Sequence, residues 1–176
     1  MQYVHDFKIS ISEYAENGQD NAFPIISKCP ECHDIMIKHG FYPRFPVDQN
    51  GKQYGLFIRR YKCKNPNCSL TVSILPSFLI PHFQKTLKWL YECIKEYYLN
   101  KKYILSNRQT HFYCTRFRLN IPGMVSFFRE KIKFTLKFDK YIKKKAIKLI
   151  EMIKNSPVPT FSKRYYDHFQ QSFMAN

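Results

Sequence analysis

The sequence predicts an α+β fold in which a three-stranded sheet precedes an all-α region, and three observations predict it. Two cysteine pairs, Cys29-Pro-Glu-Cys32 and Cys63-Lys-Asn-Pro-Asn-Cys68, bracket thirty residues that read as a β-hairpin. The hydrophobic period changes from two to 3.6 near Phe83. Positive charge is concentrated after the first 36 residues. That segment holds two lysines against six acids, whereas the rest holds 27 basic and 7 acidic residues, for a net formal charge of +16 over the 176 residues.

Residues 1–28 read as a lead-in of mixed, acidic composition without a strong period. Ile35 to Phe45 is β-competent and aromatic. Asp48-Gln49-Asn50-Gly51 supplies a hairpin turn, with Asn50-Gly51 suited to positive φ. Tyr54 to Tyr61 returns as a strand with Leu56, Ile58 and Arg60 on one face and Phe57, Arg59 and Tyr61 on the other. Ser69 to Leu75 is β-branched and forms the third strand. Pro76 and Pro81 close the sheet, so residues 29–81 form one unit.

The helices follow. Phe83, Leu87, Leu90, Tyr91, Ile94 and Tyr98 make one stripe of a helix ending near Asn100. Ser106-Asn107-Arg108-Gln109 is a capping box that opens a second helix. Its buried side is Tyr113, Cys114 and Phe117; its open side is Arg108, His111, Phe112, Thr115 and Arg116. Asn120 and Pro122 open a third, with the stripe Ile121, Met124, Val125, Phe128 and Ile132. Residues 82–132 thus read as a helix-turn-helix-like domain. Residues 133–176 read as basic C-terminal helices. One runs from Phe138 to Asn155, with Phe138, Ile142, Ala146, Leu149, Ile150 and Ile153 inward and Lys140, Lys143, Lys144, Lys145 and Lys148 mostly on other faces; Pro157 and Pro159 stop it. The last carries Phe161, Tyr165, Phe169 and Phe173 at four-residue spacing.

The chemistry follows from residue types. Paired thiols in two tight turns at one end of a hairpin are the ligand pattern of a tetrahedral site, so Cys29, Cys32, Cys63 and Cys68 are expected to hold one structural Zn²⁺. Four thiolates leave no open position for water or substrate. No secretory signal pattern precedes the cysteines and no βαβ context surrounds the C-x-x-C, so neither disulfides nor redox exchange is expected. His33 and His39 near the first turn read as exposed loop residues, and Cys93 and Cys114 as buried free thiols. With 5 Gly there is no phosphate-cradling loop. The 13 acids are scattered without a converging carboxylate set, so catalysis is not expected. No apolar run spans a membrane, and a cytoplasmic location is expected.

The positive field favours polyanions. Asn107, Arg108, His111, Thr115 and Arg116 are candidate base readers on the second helix. Lys101, Lys102 and Arg118 flank it as candidate phosphate contacts, and Arg59 and Arg60 on the hairpin join them. Phe41, Tyr42, Phe57 and Tyr61 could stack on unpaired bases, although packing of a small sheet is the simpler use for them.

Three segments carry a family resemblance: CPEC with KHGFYPR, IRRYKCKNPNCSLTVSILPSFLIPHFQ, and SNRQTHFYCTRF. They resemble an uncharacterised zinc-ribbon family of bacterial mobile elements related to transposase N-terminal regions, over residues 29–130. The resemblance implies zinc ligation by the four cysteines and recognition of DNA ends by the ribbon and helices. The second turn departs from it in being C-x4-C rather than C-x2-C, and no catalytic core is expected after residue 130. The function expected from all this is zinc-dependent binding of duplex DNA in a transposon-associated protein. A homodimeric or transposition or transcription protein partner is a further expectation. The alternatives are a ribbon that docks on protein and an RNA-binding protein.

Overall fold

The structure is a computed structural model that describes residues 1–132, 139–154 and 158–174. The chain divides into two compact units, Met1–Lys85 and Thr86–Asn176. The expectations placed on Phe138, Asn155 and Pro157 lie outside the described residues, as do those on the side chains of Ile132 and Pro159.

The first unit is built on a four-stranded sheet of order β1-β4-β3-β2, formed by β1 (Gln2–His5), β2 (Met36–Arg44), β3 (Leu56–Cys63) and β4 (Thr71–Pro76). β2 and β3 are antiparallel, with Met36 opposite Cys63 and Arg44 opposite Leu56, and a bulge at His39–Gly40 shifts their register. β4 pairs antiparallel with β3 through Arg60–Ser73, Tyr61–Val72 and Lys62–Thr71. The expectation of three strands is corrected by β1, which pairs parallel to β4 from Gln2–Ser73 to His5–Pro76. β4 is therefore an interior strand. Five of its six residues are buried, and an interior strand reads as a continuous apolar run rather than an alternation.

The lead-in packs as structure. Ser10 caps α1 (Ile11–Asn17) by accepting a hydrogen bond from the Glu13 amide at 3.1 Å. Tyr14 of α1 is fully buried, donates its hydroxyl to the Phe57 carbonyl at 2.9 Å, and packs edge-to-face with Phe7 and Phe78. Phe23 extends this aromatic cluster to Phe41 on β2. Phe41 and Phe57 contact each other edge-to-face, and buried Tyr61 donates to the Pro24 carbonyl at 3.1 Å, so packing engages Phe41 and Tyr61 while Phe57 stays partly exposed.

Asp48 organises the hairpin loop. Its buried carboxylate accepts from the Asn50 and Lys52 amides, both at 2.9 Å, and from the Tyr54 hydroxyl at 3.2 Å. Gly51 alone of the expected Asn-Gly pair takes positive φ, at 80°. Beyond β4, Leu79, Ile80 and Phe83 are buried, and Arg44 donates to the Phe83 carbonyl. Phe83 thus belongs to this unit, not to the first long helix.

In the second unit that helix, α2 (Leu87–Lys95), starts at Thr86, whose hydroxyl accepts from the Trp89 amide at 3.4 Å. It continues as a wider π-helical turn over Glu96–Asn100 and ends at Lys101 in the left-handed region, φ 52°. α3 (Asn107–Leu119) opens at Ser106, with the side-chain-to-amide half of the expected capping box formed and Gln109 reaching back to the hydroxyl rather than to the Ser106 amide. The Ser106 hydroxyl accepts from the Gln109 amide and donates to the Gln109 side-chain carbonyl, both at 3.3 Å. Asn120 alone separates α3 from α4 (Ile121–Ile132). α5 spans Ile142–Lys154 and α6 spans Val158–Phe169.

The core is heavily aromatic. Tyr113, Cys114 and Phe117 are buried as α3's pattern requires, and Met124, Phe127 and Phe128 contribute from α4. Phe128 stacks on Phe161 at 5.4 Å between centroids, and Tyr91 donates to the Ile150 carbonyl at 2.8 Å. Gly123 lies against the Tyr165 hydroxyl so closely that a Cβ would collide with it. Ala146, Leu149, Ile150 and Ile153 are buried as expected, but Ile142 is exposed because it opens α5. Phe173 lies beyond α6, which gives way to Gln170 at φ 54°.

Candidate functional site

The hairpin explains how four distant thiols meet. The first cysteine turn immediately precedes β2 and the second follows β3. Antiparallel pairing of Met36 with Cys63 therefore brings both turns to one end of the sheet. Local hydrogen bonds shape each turn. The Cys29 amide donates to the Asp34 carbonyl at 2.7 Å and the His33 amide to the Cys29 carbonyl at 3.0 Å, with His33 at φ 61°. In the second turn, the Cys68 amide donates to the Asn65 carbonyl at 3.1 Å and the Cys63 amide to the Leu70 carbonyl at 2.9 Å. The Lys64 amide donates to the Ile35 carbonyl at 2.9 Å and ties the two turns together.

The four Sγ atoms lie within 4.8 Å of one another. Cys29–Cys68 and Cys32–Cys63 are the close pairs, at 3.6 and 3.4 Å, and all four thiols are free. Metal–thiolate bonds of about 2.3 Å in a tetrahedron place sulfurs about 3.8 Å apart, inside the observed spread. Cys29 and Cys63 are buried against Met36, Tyr61, Val72 and Ile74, whereas Cys32 is exposed.

The thiol electrostatics fit a cation. The Cys32 amide, followed by that of Glu31, favours the thiolate at Cys29 and draws its pKa down to about 7. Burial, and then the neighbouring thiols, push Cys63 up to about 12. Cys68 has the help of the Leu70 amide, yet burial and the Cys32 and Cys29 sulfurs leave it raised. One thiolate suppresses the next at this range; a divalent ion between them removes the repulsion and holds all four deprotonated. Such a group has the donors for a closed metal centre. His33 and His39 are exposed and stand outside it, and Cys93 and Cys114 are buried.

The candidate nucleic-acid contacts fall in both units. In the first, Arg59 lies over Phe41 at 4.1 Å and Arg60 over Tyr42 at 5.7 Å. As successive strand residues they leave the sheet on opposite faces, so they do not form one patch. In the second, Asn107, Arg108, His111, Thr115 and Arg118 are exposed on α3, and Lys101 and Lys102 are exposed before it. Asn107, His111, Thr115 and Arg118 follow one another at helical steps along one stripe. Arg116 differs. It is half-buried, lies over Phe112 at 4.7 Å and donates to the Met174 carbonyl at 3.3 Å, so part of its donor capacity serves the fold. Lys101 and Arg118 share a cleft with Tyr97, Tyr98, Tyr103 and Lys143. The tyrosines and Lys143 were not expected there. The signal for the tyrosines in the sequence is the interleaving of aromatic and basic residues from Tyr97 to Tyr103.

Among the described residues, no helix is long and apolar enough to cross a membrane. No curated protein and no solved structure matches the chain. Residues 29–117, half of the chain, match the family described as "Domain of unknown function (DUF6431)". That match begins at the first of the four thiols and ends inside α3, and the chain belongs to this family.

Proposed function

We propose that the protein is a zinc-dependent DNA-binding protein in which the thiol-bearing sheet is a zinc ribbon and α2, α3 and the intervening turn act as a helix-turn-helix. Zinc is the metal of choice because four soft thiolates with tetrahedral spacing suit it and need no redox change. Cys29, Cys32, Cys63 and Cys68 would hold it, and its part is structural. Duplex DNA is the partner favoured by the charge, and an association with transposition follows only from the sequence resemblance.

The observation that carries the reading is the exposed polar stripe of α3, with Asn107, Arg108, His111 and Thr115 outward and Lys101, Lys102 and Arg118 at its flanks. Short polar and Arg side chains on one helical face suit base edges in a major groove, while flanking cations suit phosphates. The aromatic rings of the sheet favour duplex over stacked single strands there, because Phe41 and Tyr61 are engaged in packing.

Metal analysis of the purified protein together with duplex selection tests the reading. About one zinc per chain is expected, and contacts to six phosphates give log K against log salt a slope of roughly −5. Arg108→Ala should relax specificity, and Lys102→Ala should lower the slope by about 1. A slope near zero, or full retention of one protein partner after nuclease treatment, would turn the reading to protein docking.

A further inference from the structure

We propose that the cleft between the π-helical turn and the start of α5 is a binding site for a nucleoside 5′-phosphate, free or at the end of a strand. The proposal goes beyond the duplex reading, since it concerns a single unstacked nucleotide.

The cleft has a volume of about 490 Å³, which is the size of a small-molecule site. Its cationic side consists of Lys101, Arg118 and Lys143. Among the described residues none of these three makes an ion pair with a carboxylate, so their charge is uncompensated at the cleft. Asp139, the acid that precedes α5, is engaged by Lys144 at 3.3 Å and by the Tyr141 amide at 2.9 Å. Lys143 stands in the first turn of α5.

The other side is aromatic. Tyr97 is held edge-to-face by Tyr98 at 5.3 Å, Tyr103 at 5.6 Å and His111 at 6.0 Å. Tyr103 remains 44% exposed despite lining the cleft, so its ring is available to stack. Lys101 sits at φ 52°, a conformation that a non-glycine residue adopts at a cost. Its amide closes the π-helical turn on the Glu96 carbonyl. A phosphate on the three cations with a base on the tyrosines uses both halves of the cleft; inorganic phosphate would use only one, and an uncharged nucleoside only the other.

Equilibrium dialysis and ring-proton NMR of the full, metal-loaded chain with thymidine and adenosine 5′-monophosphates test this. Saturable binding is expected, with orthophosphate and the unphosphorylated nucleosides at least about tenfold weaker. The double variant Arg118→Glu/Lys143→Glu should weaken binding at least about tenfold, and Tyr103→Ala several-fold, while Tyr103→Phe keeps it. Unchanged circular dichroism shows that the variants fold. Displacement of the mononucleotide by a short 5′-phosphorylated single strand identifies a strand end as the ligand, and no displacement identifies a free nucleotide. Orthophosphate binding as tightly as the nucleotides would overturn the proposal, as would equal binding by the folded double variant or no saturable binding. Duplex affinity measured in parallel separates the readings: duplex binding without nucleotide binding rejects the cleft alone, and nucleotide binding without duplex binding rejects the helix-turn-helix alone.

Discussion

The two units of this chain reach stability by different routes. The first, Met1–Lys85, has a four-stranded sheet in which four thiols meet at one end, against a small apolar cluster of Met36, Tyr61, Val72 and Ile74. The second, Thr86–Asn176, buries a continuous set of aromatic and aliphatic residues from five helices. The difference teaches where each unit is vulnerable. A helical core loses stability in small steps as contacts are removed. The end of the sheet that carries the thiols has a smaller apolar cluster, and under the proposed zinc reading its cohesion also depends on four sulfurs coexisting as thiolates.

The largest expected effect is therefore loss of one thiol. Apparent binding free energies of structural zinc are on the order of 10 kcal/mol, comparable to the whole stability of a small domain. If the four thiols hold zinc as proposed, Cys63→Ser, or chelation of the metal, should abolish amide-exchange protection in β2 and β3 and leave α2–α6 protected. Equal loss in both units would break the comparison.

Asp48→Ala comes next within the first unit. It removes three hydrogen bonds from a buried carboxylate and should cost about 2 kcal/mol in denaturant unfolding. Metal content should not change, because Asp48 lies at the opposite end of the hairpin from the thiols. Loss of metal in this variant would show that the hairpin, not the ion, is the element that holds the site together.

Gly123→Ala probes the second unit. Alanine is the better helix former by about 1 kcal/mol, yet its methyl group meets the hydroxyl of a fully buried tyrosine. Overpacking should prevail, for a net loss of about 1–2 kcal/mol read in the thermal midpoint. A gain in stability would mean that Tyr165 has room to move and that this core is looser than its burial indicates. Ser106→Ala is the mildest, costing about 1 kcal/mol through loss of the α3 cap, with frayed exchange confined to the first turn of α3.

How much was legible depended on the range of the interaction. The capping box at Ser106 is a contact between residues three apart, and the chain announces it directly. The buried trio Tyr113, Cys114 and Phe117 follows from helical periodicity alone. β1 could not be read in this way. Gln2–His5 is four residues long, and its partner β4 lies some seventy residues away, so no local pattern marks the pairing. The start of α2 was misplaced because Phe83 falls on the helical period yet is buried with the sheet. Arg116 looked like its exposed neighbours until the Met174 carbonyl, 58 residues away, claimed one of its nitrogens.

Cysteine spacing and charge distribution by themselves determined that this chain could assemble a four-thiol centre and attract polyanions, since ligand chemistry and net charge are properties of composition and short spacing. Only the tertiary structure decided that the lead-in completes the sheet and that Lys101, Arg118 and Lys143 share one tyrosine-lined cleft. Those outcomes depend on which distant segments meet, and meeting is selected by the packing of the whole unit rather than by any residue's near neighbours.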